Sequence, residues 1–556
     1  MANNLLIQGG TVVDGTGGTG GTSGAPFAAD LRIRDGVIVE IGPSLERDGE
    51  ATIDAEGALV TPGFVDGHTH YDLEMFWDPS LDPLPSYGIT TMVMGNCGFG
   101  IAPTRADVQH DIADLLCFVE ELPTSLETAV EWGWPTWSEY FAAASQVPLT
   151  LTPFAFTAHN ALRATVMGRA AWERAATDEE LAVICMLLDD ALRAGSLGVS
   201  GNWFDTDRQG ELVPSRLADD TELDALLAVL ARYPGALLQT IIRDDDLRTH
   251  VHTRSAAAGV GVLSLGDGTG RGRDGEDGVV YLGGGGEPSR PRLGFESSIG
   301  TAAVRAWHEL VNGPADRKLT LLADPEWRAR ARHDWDHPLD EQNSFRAEQL
   351  HELILSDPEH GPGPRGISLR ALADERGEHP SDVLADWVLA NGVGSRYTKL
   401  NAGRMSAEER EAQDREFFAR PDMIFGGTDA GAHLKMFCGA GSALYLLTHW
   451  VRDTGELTIE QAVHFLTQRN TDFFSMRDRG VLEVGRRGDV NVFALDEIEL
   501  HDLERVHDLP GGDYRFTRPS AGFRATVVAG VPTVLDGKPT EERPARLSSA
   551  RTAAAG

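Results

Sequence analysis

Cysteine is scarce, with four in 556 residues. That is too few, too scattered, for a disulfide framework, and it makes a reducing, cytoplasmic compartment the simplest expectation. Cys117, Cys185 and Cys438 read as small packing residues. Positive charge is also short: 49 Lys and Arg stand against 85 Asp and Glu, a formal charge of −36. Nucleic acid is therefore not an expected partner, because phosphate binding needs a basic surface. The acidity reads first as solubility. No run of about 18 apolar residues marks a membrane span, and Met1-Ala-Asn-Asn4 lacks the basic, apolar start of a secretory leader. The expected partner is a small molecule, with self-association into a homo-oligomer left open.

What is present is an ordinary globular composition, 41% apolar and 24% charged, in a chain long enough for two structural units. Both ends alternate apolar and polar residues between Gly turns, as strands do: Leu6–Asp14, Asp30–Gly42, Ala51–Val60, Asp478–Leu495 and Ala525–Leu535. Between them, short β-like runs alternate with helical stretches, the pattern of a parallel sheet wrapped by helices. Strand candidates are Thr90–Met94, Leu149–Phe156, Gly198–Ser200, Ala236–Thr240, Gly261–Ser264 and Met423–Phe425. Helices are expected over Asp178–Ala194, Asp220–Arg232 and Ile459–Thr467. The Gly-rich stretch Gly266–Ser289 has no apolar period and reads as a surface or lid loop. The tail from Arg546 reads as flexible.

Three runs that follow strand candidates carry chemistry. In Thr61-Pro-Gly-Phe-Val-Asp-Gly-His-Thr-His70 the two imidazoles are two residues apart on extended chain, so they share a face and can grip one cation. Cys97 sits in Met94-Gly-Asn-Cys-Gly98; beside a cation its thiolate becomes a ligand, and otherwise it is a packed thiol in a turn. Asp429 lies in Gly426-Gly-Thr-Asp-Ala-Gly-Ala-His433, as a turn residue or as an acid–base group.

In that order, Gly67-His-Thr-His70, Gly95-Asn-Cys-Gly98 and Thr428-Asp-Ala-Gly-Ala-His433 resemble the amidohydrolase superfamily. Within it they are most similar to the N-acyl-D-amino-acid deacylases (D-aminoacylases), and the matched segments span most of the chain. The resemblance implies a (β/α)8 TIM-like barrel over 62–480, with a small β-sandwich built from 1–61 and 481–545 and a tail over 546–556. It implies a divalent metal, zinc first, held by His68, His70, Cys97 and Asp429. Asp429 would also take the proton of metal-bound water and return it to the leaving group. His159, in Thr157-Ala-His-Asn-Ala-Leu-Arg163, and His433 are expected either at the substrate or in supporting roles.

The pattern is departed from in two places. Members similar to this chain carry further metal-binding histidines after the fifth and sixth strands. Here those runs read Leu237-Leu-Gln-Thr-Ile-Ile-Arg243 and Val262-Leu-Ser-Leu-Gly-Asp267, which speaks against a second ion. His250 and His252 fall on a polar helix and are not expected to ligate. The His-Pro-Arg element that holds the substrate carboxylate is also missing, leaving Lys435, Lys399 and Arg404 as candidate anion contacts. The reading is a metal-dependent hydrolase of an N-acyl amino acid or related amide. Another reaction on the same scaffold, such as cyclic-amide hydrolysis, deamination or non-hydrolytic cleavage, stays open, as does a catalytically silent binding protein.

Overall fold

The computed structural model describes residues 4–18, 24–123, 125–126, 130–265, 278–283, 292–295, 301, 303–339, 353–399 and 407–549. At its centre parallel strands follow one another in chain order. Phe64–Asp66, Ile89–Met94 and Thr152–Ala155 form one sheet. The third strand resumes at Thr157–Ala158, and this piece pairs on through Gly198–Asn202, Leu237–Ile241, Gly261–Leu265 and Val279–Gly283 to Met423–Phe425. First and last strands meet through a parallel bridge between Thr69 and Ala430. The Asn470 side-chain amide seals the same seam, donating to Val65 O (2.8 Å) and Phe425 O (2.9 Å). Val93, Phe154, Leu237, Leu263, Leu282 and Ile424, from six of these strands, pack in one cluster, so the strands wrap a common interior. Ile89–Met94 is buried throughout, as parallel strands covered by helices are.

The helices follow from patterns visible in the chain. Asp178–Ala194 opens with a capping box between Thr177 and Glu180 and buries the stripe Ile184, Leu187, Leu188, Ala191, Leu192. The two chain ends meet in a nine-stranded sheet. Leu59–Pro62 lies antiparallel to Val490–Phe493 and runs directly into the first central strand, so this sheet anchors the segment that delivers His68 and His70. Leu5, Leu31, Val60, Val490 and Val527 share its core.

A separate unit is inserted between the last two central strands. Arg292–Gly294, Arg396–Lys399, Leu353–Asp357 and Ile367–Ser368 form an antiparallel sheet. It packs with the helices Arg305–Asn312, Pro325–Asp336 and Pro380–Asn391 around Phe295, Trp307, Trp387 and Tyr397. Met436, from the loop after the last central strand, is buried in that same core. The insert therefore braces this loop.

Two expectations are corrected. Within the stretch read as a lid loop, Val279–Gly283 is a central strand; its run of four apolar residues is masked in the sequence by glycines on either side. Residues 266–277 and 284–291 lie outside the described residues. The tail is packed as far as Ser549: Leu547 is buried and the Ser548 N–H donates to Pro153 O.

Candidate metal centre

The first central strand ends at Asp66, and after a bend at Gly67 the chain delivers His68 and His70. The carboxylate of Asp66 accepts the His68 N–H and, at 2.6 Å, the Thr428 hydroxyl. This joins the end of the first strand to the start of the Asp429 loop. Burial pushes Asp66 up to about 6, against the opposing pull of those hydrogen bonds. The His70 N–H donates to Ala430 O. Gly431, at φ +87°, lets the backbone pass so close to His70 that a Cβ there would sit 2.9 Å from the His70 carbonyl carbon.

Cys97 is placed by a turn tied to two neighbouring strands, Gly198–Asn202 and Leu237–Ile241. Its N–H donates to Gln239 Oε1 (2.8 Å), the Gly98 N–H to Ser200 Oγ (3.1 Å), and the Asn202 amide to Cys97 O (3.1 Å). Cys97, Asp429 and His433 all lie in the left-handed region, at φ +55°, +50° and +53°. Non-glycine residues are held there at a cost of about 1–3 kcal/mol each, and such residues concentrate at functional sites.

His68, His70 and Cys97 are buried, and one ligand atom from each lies within 4.8 Å of the others. His68 Nε2 is 3.2 Å from His70 Nε2 and 3.3 Å from Cys97 Sγ. Asp429 Oδ1 adjoins the histidine side, 3.1 Å from His68 Nε2 and 3.7 Å from His70 Nε2. Tetrahedral bonds of about 2.0–2.3 Å place zinc's ligand atoms roughly 3.3–3.6 Å apart, so these spacings fit one cation. The donor chemistry fits as well, two imidazoles and one sulfur being a set suited to zinc. Burial holds His70 down near 4, which leaves a neutral imidazole able to ligate. Burial also pushes the Cys97 thiol up, aided by Glu120, Asp429 and Asp205, so a thiolate at this position requires a cation beside it. Burial alone would raise Asp429, but the two imidazoles outweigh it and hold the carboxylate well below its usual range.

Beside this group opens a cavity of ≈ 320 Å³ lined by Cys97, Glu120, Asp429 and His433. Its apolar wall is Val119, Phe204, Ile241, Leu265, Met436 and Phe437. Asp205 and Arg243 complete the lining, and the Arg243 guanidinium lies over the Phe204 ring at 3.9 Å. Ile241 and Leu265 end the fifth and sixth central strands.

The remaining expected residues divide. His433 reaches the cavity, and Glu121, Glu120 and Asp429 raise it to about 9 despite burial. His159 does not line the cavity. It begins the helix His159–Met167 and turns to Glu222, with Nε2 2.8 Å from Oε1, while Arg163 pairs with the other carboxylate oxygen. Of the two roles expected for it, at the substrate or in support, this pairing matches the supporting one. Lys435 is engaged by Asp513 at 2.8 Å and lies over Tyr514. Lys399 closes a strand of the insert, its side chain outside the described residues, as is the whole of Arg404. His250 pairs with Asp220 on an exposed helix face, away from the donors. Glu120, Asp205 and Arg243 were missed. Asp205 and Arg243 follow central strands and could have been flagged by that rule. Glu120 ends a helix, where the only signal was an adjacent acid pair inside the apolar run Leu115–Leu122.

A sequence profile of the amidohydrolase family matches residues 51–534. An uncharacterized protein of Mycobacterium tuberculosis is 30% identical over 95% of this chain and 91% of its own length. D-aminoacylase of Alcaligenes xylosoxydans xylosoxydans is 26% identical over 99% of this chain and 98% of its own. Among solved structures, N-acyl-D-glutamate deacylase from Bordetella bronchiseptica, complexed with zinc and a phosphonate inhibitor that mimics the tetrahedral intermediate, shares the fold. Its TM-score is 0.64 at 23% identity, over 98% of this chain and 99% of that one.

Proposed function

The chain belongs to the amidohydrolase family and is similar to D-aminoacylases, and on that footing we propose that it hydrolyses the amide of an N-acyl amino acid or a closely related compound. The scaffold is read as a (β/α)8 barrel with a β-sandwich formed by the chain ends. A single divalent cation, zinc first, is held by His68, His70 and Cys97, with Asp429 beside it. The observation that carries the reading is the convergence of two buried imidazoles, a thiol and a carboxylate beside a cavity of ≈ 320 Å³.

When bound, the cation supplies Lewis acidity, polarising an acyl oxygen and acidifying water. The chain's own residues do the rest. Asp429, one-third exposed at the cavity and ionised by its imidazole neighbours, accepts the proton of attacking water on its carboxylate. It then delivers that proton to the departing nitrogen, which leaves poorly as an anion. The six apolar side chains exclude water and receive the acyl group or side chain, in a cavity of the size that holds small ligands. Arg243, stacked on Phe204, presents a planar fork suited to a carboxylate. His433 adds positive charge beside Asp429.

The test is an assay for free amine released from racemic N-acetyl amino acids with apolar and acidic side chains, run beside a cyclic amide. Release of amine from the acylated amino acids supports the reading. Ring opening alone, or no turnover of either with zinc supplied, sinks it.

A further inference from the structure

Glu120 lies outside every motif that points to the centre, yet it lines the cavity and is 4% exposed. It caps the helix Gln109–Val119, so its carboxylate comes from a helix end, where the other groups come from strand ends. A carboxylate this buried is costly unless it faces positive or donor groups. Oε1 lies 3.5 Å from His70 Nδ1, the ring edge opposite the one that faces His68 and Asp429. Oε2 lies 3.9 Å from His433 Nε2. The next residue, Glu121, has φ +49° and reaches the other nitrogen of the same ring, 3.5 Å from His433 Nδ1. The backbone closes the link, the His433 N–H donating to Glu120 O at 2.6 Å. His70 Nδ1 is buried and without a hydrogen bond, and a shift of about half an ångström toward Glu120 would make one.

We propose that Glu120 is a positioning residue of the centre, holding the His70 ring with Nδ1–H toward its carboxylate and Nε2 toward the cation, and clamping the Asp429 loop through His433. Carboxylates that orient metal-binding imidazoles in this way commonly contribute 10–100-fold in metal affinity. Direct ligation by Glu120 does not fit. It faces the far edge of the ring, and among the described residues the group of mutually close ligand atoms contains His68, His70 and Cys97 without it. The inference rests on the reading that these three hold a cation.

The experiment measures zinc affinity, by competition with a chromophoric chelator and without substrate, in wild type, Glu120→Gln and Glu120→Ala. Thermal unfolding of the metal-free proteins reports folding. Affinity is expected to fall about 10–100-fold in Glu120→Ala. Glu120→Gln, which keeps an acceptor and loses the charge, is expected to fall between that variant and wild type. Cobalt-substituted Glu120→Ala is expected to show an altered ligand-field spectrum, which a purely structural role would leave unchanged. Wild-type zinc affinity in folded Glu120→Ala overturns the proposal. If that variant does not fold, wild-type affinity in Glu120→Gln does so. A wild type that binds zinc yet releases no amine from any N-acyl amino acid sinks the functional reading and leaves this one standing.

Discussion

Among the described residues, two buried clusters of imidazole and carboxylate are built in opposite ways. At Glu222 each carboxylate oxygen has its own partner, the His159 imidazole on one and the Arg163 guanidinium on the other. The partners lie on helix His159–Met167 and Glu222 on helix Asp220–Leu230, so the pairing is complete within the protein. At Asp429 one oxygen meets two imidazoles whose Nε2 atoms face each other, with a thiol on the far side. Three residues around it sit at positive φ. The first cluster neutralises itself; the second gathers donor atoms of the kind and spacing suited to a shared cation. Both follow strand ends and both contain a histidine, so what separates structure from chemistry here is whether the charges close among themselves.

That contrast can be broken by exchanging one group at a time. Asp429→Asn should lower kcat by about 10²–10⁴-fold with bound zinc retained, measured as turnover per bound metal. Glu222→Gln should leave turnover per folded molecule unchanged but cost about 3–5 kcal/mol of stability, because it strands a buried guanidinium. A folded Glu222→Gln that has lost turnover would erase the distinction between the clusters.

Acid sharpens the same point. Burial would raise Glu222, but His159 and Arg163 outweigh it and hold the carboxylate at about 2, below its ordinary 4.5. Its folded pKa is depressed, so its contribution is present above pH 4.5 and is lost as pH falls toward 2. Urea midpoints measured between those limits should fall less steeply in Glu222→Gln than in wild type. The smallest effect expected is in the cavity lining: Arg243→Gln should raise KM roughly tenfold, the worth of one charge-assisted contact, with kcat nearly unchanged. A fall in kcat with KM unchanged would instead place Arg243 in the chemistry.

The residues that converge on the centre were legible because strand alternation and strand-end turns leave a local signature. His68 and His70 are two apart just past a strand, and Cys97 and Asp429 each sit in a Gly-rich run directly after a strand. The same rule left two roles open at His159. It too follows a strand, but it opens a helix whose ring turns to Glu222, and that partner lies 63 positions away. Glu120 left only the acid pair in an apolar run as a sign, since a helix end brings it in and tertiary packing decides where it points. The inserted sheet and its helices were read as part of one long unit. Their apolar periods resemble those of the central helices, and only the separate cluster around Trp307 and Trp387 sets them apart. The strand Val279–Gly283 was hidden by the glycines around it.

The most direct measurement is a zinc titration of chelator-treated protein with turnover followed at each addition, for wild type and for His68→Ala/His70→Ala. Wild type should regain full turnover at one equivalent of zinc, and the double variant should neither bind the ion nor turn over. Full turnover in the chelated wild type, or in the double variant, would contradict a centre built on these side chains.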